Sequence, residues 1–246
     1  MNGLLVERTR ESRGRAAPGR AVAYPVPPVS RHRLPLLPPL LLASLAACAA
    51  HRGTPFADTD YPGTLQDAAT LPQDVLWQQR VTASWGGAHA GERGFDAAVQ
   101  KQGDTLTVLG LSPIGSAGFA MILRGTTIEL KNDTEQELPF PARFILLDVQ
   151  RTFYPWLGAA MTTDGVRDGT TGEERVQETW ASGRLVERRF TRISGTPAGA
   201  ITVTYDWRGI DEPTRMAPPR TVLDNSWFDY RLVVETHSET RIAMPR

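Results

Sequence analysis

One cysteine, Cys48, occurs in 246 residues. No disulfide can form within the chain, and a zinc site built on paired thiolates is excluded with it. Lysine is nearly as scarce, with Lys101 and Lys131 the only two, and they do not cluster. Basic and acidic side chains balance at 27 each. Setting aside residues 1–47, which carry seven arginines against Glu7 and Glu11, leaves 20 basic and 25 acidic side chains, a net charge near −5. A nucleic-acid face needs clustered positive charge, so nucleic acid is not an expected partner. No apolar run free of interruption approaches the ~20 residues that cross a bilayer as a helix.

Chemistry-bearing patterns are missing in the same way. His51, His89 and His237 stand far apart, with no HxH or HExxH spacing, and no metal is expected. Gly110-Leu-Ser112-Pro-Ile-Gly115 misses the Gly-x-Ser-x-Gly elbow because its second glycine comes one position late. Asp164-Gly-Val-Arg-Asp168-Gly lacks the alternating oxygen ligands of a calcium loop and reads as a turn. Glu173-Glu174 reads as a solvated strand entry. No acid/base pair or activated nucleophile emerges, so a non-enzyme without a cofactor is expected.

What is present starts with Leu34 to Cys48. Arg31, His32 and Arg33 precede an apolar, proline-interrupted core that ends in small residues, the layout of a secretory signal. Leu45-Ala46-Ala47-Cys48 resembles the bacterial lipobox, which implies cleavage before Cys48 and a diacylglycerol on its thiol. An uncleaved anchor and a plain secretory signal with a structural cysteine are the alternatives. Residues 1–30, rich in Arg, Gly and Pro, lie ahead of where such a signal begins, and Val29 is a candidate start. Three regions follow: 1–47 as extension and signal peptide, 48–72 as a lipidated, turn-rich tether, and 73–246 as a single β-barrel-like domain. Ala49, after the cysteine, resembles the outer-membrane sorting signal of such lipoproteins, which implies the periplasmic face of that membrane.

From Gly94 the pattern has period two. Phe95–Gln100 and Thr105–Leu109 read as a hairpin, Gly118–Leu123 and Thr126–Leu130 as another pair about Arg124-Gly125. Leu106 and Val108 share one face, as do Phe119, Met121 and Leu123. Residues 138–155 break the rhythm: Ile145, Val149 and Thr152 fall on one side of a helix, with Phe144 and Leu147–Asp148 flanking, Pro141 near its start and Pro155 at its end. Thr162–Gly172 reads as a polar loop. Arg175–Ala181 and Arg184–Arg192 form a hairpin about Ser182-Gly183. Ala198–Trp207 and, after a proline-rich passage, Thr221–Leu223 with Trp227–Thr236 complete the strands. The expected class is mainly β: an antiparallel, strongly curved or unclosed barrel with a few covering helices.

The order of these segments resembles the LolA/LolB-like outer-membrane lipoprotein superfamily over residues 75–236. Leu111-Ser-Pro-Ile-Gly-Ser116 is similar to its Asn-Pro-Leu-Gly loop, and Arg215-Met-Ala-Pro-Pro-Arg-Thr-Val-Leu223 to its proline-containing run into the last strands. Leu138–Trp156 looks most like an uncharacterised lipoprotein branch associated with aryl polyene pigment clusters. The resemblance implies a lipid or other hydrophobic ligand in an apolar cavity, with Leu106, Val108, Phe119, Met121, Leu123, Trp180 and Trp207 as candidate lining; for each taken alone, ordinary core is the stronger reading. It also implies a membrane-contacting loop at Pro113 and Ile114, where the alternative is a turn residue packed under the barrel rim. The expected role is binding a lipid-like ligand and passing it into the membrane, with a lipoprotein or a pigment-biosynthesis protein as partner. The competing expectation is a structural or sensory lipoprotein with a filled interior that binds a protein.

Overall fold

Alternating burial, with side chains turned in and out by turns, runs through most of the chain. The computed structural model describes residues 57, 60–87, 90–111, 117–132, 138, 140–210, 212 and 214–243. Cys48, Pro113 and Ile114 lie outside them. The chain divides into two units, Met1–Ala49 and Ala50–Arg246, and the first falls wholly outside the described residues.

The described residues form β1 (Val75–Trp85), β2 (Gly91–Gln102), β3 (Thr105–Leu111), β4 (Ala117–Arg124), β5 (Thr127–Asn132), α1 (Ala142–Phe153), β6 (Gly165–Thr171), β7 (Glu174–Ala181), β8 (Arg184–Arg192), β9 (Ile201–Asp206), β10 (Arg220–Asn225) and β11 (Tyr230–Arg241). All the strands join one sheet in the order β5-β4-β3-β2-β1-β11-β10-β9-β8-β7-β6. Each pairing is antiparallel. The sheet is therefore two meanders, β1–β5 and β6–β11, welded where the first strand meets the last. That weld runs from Val75↔Arg241 to Trp85↔Tyr230. Because β5 and β6 are edges that do not pair with each other, the curved sheet stays unclosed.

Local chemistry explains the hairpins. Ser182 and Gly183 both take positive φ, 52° and 71°, which is what a two-residue turn matched to strand twist requires. Helix α1 starts after Pro141, whose carbonyl accepts from Phe144 N at 3.0 Å. It stops at Tyr154, which is extended, as a residue before proline prefers. Phe144, Leu146 and Leu147 are fully buried in the core with Trp77, Phe190, Ile201 and Val203, each contributing about 2 kcal/mol of transfer energy.

Three expectations change. Residues 60–72 are packed rather than tether-like: Tyr61, Leu65, Ala68 and Leu71 are buried. Arg143 donates to the carbonyls of Tyr61 and Gly63, Arg151 Nη2 to Pro62 O at 2.7 Å, and Gln150 Nε2 to Gln66 O at 2.7 Å. Strand β1 goes unrecognised in the sequence because its inward row includes a buried glutamine, Gln79, whereas Leu76 falls on the opposite face. The polar loop expected over 162–172 contains β6, an edge strand whose Val166 is 55% exposed. An edge strand packs one long side against nothing, so it can be written in polar residues.

A candidate ligand-binding cavity

The inward residues of six adjacent strands can be followed by register. Across β1 and β2 they are Trp77↔Val99, Gln79↔Ala97, Val81↔Phe95 and Ala83↔Arg93. Strands β3 and β4 continue with Val108↔Met121 and Gly110↔Phe119. On the other flank, β11 and β10 supply Val234↔Thr221 and Leu232↔Leu223. Helix α1 faces this wall with Ile145, Val149 and Phe153, spaced one turn apart along one side.

Wall and helix do not meet everywhere. Between them lies a cavity of about 770 Å³, bounded by Val81, Ala83, Phe95, Ala97, Val108, Phe119, Leu223 and Val234 from the sheet and by Ile145, Val149 and Phe153 from the helix. That volume falls within the roughly 300–1,000 Å³ of small-molecule sites. It also explains a feature of α1: Ile145, Val149 and Phe153 are only half-buried while Leu146, Leu147, Gln150 and Arg151 are sealed. Gly110 belongs to the wall because the Phe119 ring lies on it; a Cβ there would stand 2.1 Å from that ring.

At the floor the polar groups are tied down. Asp148, 5% exposed, accepts from the hydroxyls of Tyr61 and Tyr230. Asn225 Nδ2 donates to the Tyr61 hydroxyl at 2.8 Å. Burial raises the Asp148 carboxyl to about 6, against the pull of Arg151 and the two hydroxyls, since desolvation penalises the charged form. Burial, reinforced by the Asp148 charge, also pushes both tyrosines well above their ordinary value. In the wall, Thr221 is 1% exposed and its hydroxyl has no hydrogen-bond partner among the described residues. At the border, Arg80 donates to Asp96 at 3.1 Å.

The other half of the concave face is filled. Arg151 meets Glu174 at 2.8 Å with both side chains sealed, and Glu178 receives Arg188 at 2.9 Å and Arg167 at 2.9 Å. The cost of desolvating such buried pairs offsets much of their attraction, so their net contribution to stability is small.

The expected lining residues divide accordingly. Val108 and Phe119 border the cavity. Leu106, Met121 and Leu123 share their face but are fully buried in the core, where β3 lies against the short 3-10 turn Ala68–Thr70. Trp180 sits in the filled half, its Nε1 3.4 Å from Glu178. Trp207 donates to Leu185 O at 2.7 Å with Arg184 4.7 Å above its ring. Neither tryptophan borders the cavity. Sequence reading missed the β1, β10 and β11 contributions and Asp148; the Ile145/Val149 spacing was the one available signal for the helix side.

Residues 76–238 match the model of a family described as "Protein of unknown function (DUF3261)". The chain belongs to that family. No curated protein matches it. Among solved structures, this DUF3261 member is similar to the LolA superfamily protein NE2245 from Nitrosomonas europaea, at 13% identity over 73% of this chain and 91% of that one, TM-score 0.42. It is also similar to a DUF1329 family protein from Desulfovibrio piger ATCC 29098, at 10% identity over 69% of this chain and 85% of that one, TM-score 0.41. LolA is named in the first of these structures, and aryl polyene pigments are named in neither. Among the described residues, no helix is long and apolar enough to cross a membrane, and no group of three His, Cys, Asp or Glu side chains could hold a metal.

Proposed function

We propose that the protein is a lipid-anchored carrier that takes a hydrophobic, lipid-like ligand into this cavity and delivers it to the outer membrane from the periplasmic side. One observation carries the reading: beside Ile145, Val149 and Phe153 lies about 770 Å³ of space that the core does not fill. Each methylene moved there from water contributes about 0.8 kcal/mol, so a medium acyl chain supplies enough to outweigh the cost of being held. Asp148 is engaged by two hydroxyls, and its proposed role is to hold the floor rather than to react with the ligand.

Delivery rests on the anchor and the rim. Acylated Cys48 would keep the domain at the bilayer. Leu111 and Gly118, which border the cavity, flank the segment containing Pro113 and Ile114, and an apolar side chain there would enter the membrane as the ligand leaves. A lipoprotein or a pigment-biosynthesis protein is the proposed source of the cargo. The competing role, a structural or sensory lipoprotein, calls for a filled interior, which the cavity disfavours; its docking place would be the free β5 or β6 edge.

Native mass spectrometry of the purified protein tests the carrier reading. A co-purified acyl species that leaves on mild activation is expected. A protein that is bare and takes up no added amphiphile would end it.

A further inference from the structure

The cations of the inward face of β2 are treated differently at its two ends. Arg93, Phe95, Ala97, Val99 and Lys101 form one alternating row. Lys101, 3% exposed, is closed off by Asp74 at 2.8 Å. Arg93, at the opposite end, is exposed and borders the cavity. Arg80, the other arginine on that border, is engaged by Asp96. Among the described residues Arg93 has no hydrogen bond or ion pair. A cation on the inward face of an apolar hollow, with no anionic partner among the described residues, is placed to meet one carried by a ligand.

We infer that the ligand is a single-chain amphiphile with an anionic head, its tail in the cavity and its carboxylate or phosphate on the Arg93 guanidinium at the mouth. The planar guanidinium offers two parallel N–H donors to either group. Ala83, across from Arg93 in the ladder, and Phe95, next on the same face, are both cavity residues. A head seated on Arg93 therefore puts the first methylenes of its chain against apolar wall. The inference rests on the carrier reading and adds the charge and position of the head.

Three probes sharing one oleyl chain test it by calorimetric titration of the full protein: oleate, oleyl phosphate and oleyl alcohol. The wild type is expected to bind the two anions about fivefold more tightly than the alcohol, the scale of a partly exposed ion pair. Arg93→Gln should erase that gap while leaving the affinity for the alcohol unchanged, and Arg93→Lys should retain part of it. Raising salt should shrink the gap in the wild type. A gap for only one anion assigns the head to carboxylate or to phosphate. Equal binding of all three probes by the wild type, or a gap that survives Arg93→Gln, overturns the inference and leaves the carrier reading standing. Failure of every probe to bind overturns both.

Discussion

Replacing Asp148 by Asn tests whether a titrating carboxyl really forms the cavity floor. The folded protein holds that carboxyl near 6, against an ordinary 3.8, chiefly by burial. At about 1.36 kcal/mol per unit, the difference corresponds to about 3 kcal/mol. The raised value means the folded state holds the proton more tightly. The stability from this group is therefore full below pH about 4, declines as pH rises, and is gone above pH about 6. Asn is neutral throughout, can still accept from one tyrosine hydroxyl, and carries no such dependence. Urea unfolding followed by tryptophan fluorescence across pH 4 to 7 measures both proteins. Relative to wild type, Asp148→Asn should gain about 3 kcal/mol over that interval, on top of a constant offset for the altered hydrogen bonds. A difference independent of pH would show that Asp148 does not titrate in this range and that the floor is wetter than its burial suggests.

Tyr61→Phe should cost about 1–3 kcal/mol in the same denaturation assay, because its hydroxyl donates to Asp148 and accepts from Asn225; no loss would return residues 60–72 to the role of tether. Gly110→Ala should leave the fold intact but lift the Phe119 ring, 2.1 Å from the new Cβ, so that amphiphile affinity falls several-fold in a titration. Unchanged affinity would mean that the ring does not shape the site. Ile114→Glu should leave uptake unchanged and slow transfer to liposomes, and equal transfer would remove the loop from the delivery step.

Where local chemistry decides the outcome, the fold was legible. The Ser182-Gly183 turn and the alternation on either side specify β7 and β8, and the prolines at 141 and 155 bracket α1. Strand β1 was not legible, because the buried Gln79 in its inward row gains its meaning only from Thr236 on β11 across the weld. The cavity was half-legible. Val108 and Leu106 are equivalent in the sequence, two apolar residues on one strand face. What separates them is the packing of residues 61–71, which covers the end where Leu106 lies and leaves Val108 facing space. Trp180 and Trp207 misled for a related reason. They face inward, but their side of the sheet is occupied by the arginines and glutamates that α1 and β7–β8 bring together. Alternation tells which way a side chain points and is silent on what waits there.

If the space beside Val149 accepts a lipid chain, filling that space with a larger side chain must block uptake. Titrating the wild type and Val149→Trp with a fluorescent fatty acid should give saturable uptake by the first and at least about tenfold weaker uptake by the second, at nearly equal thermal stability. Saturable uptake that Val149→Trp leaves untouched would place the lipid elsewhere, and no saturable uptake by the wild type would contradict the account outright.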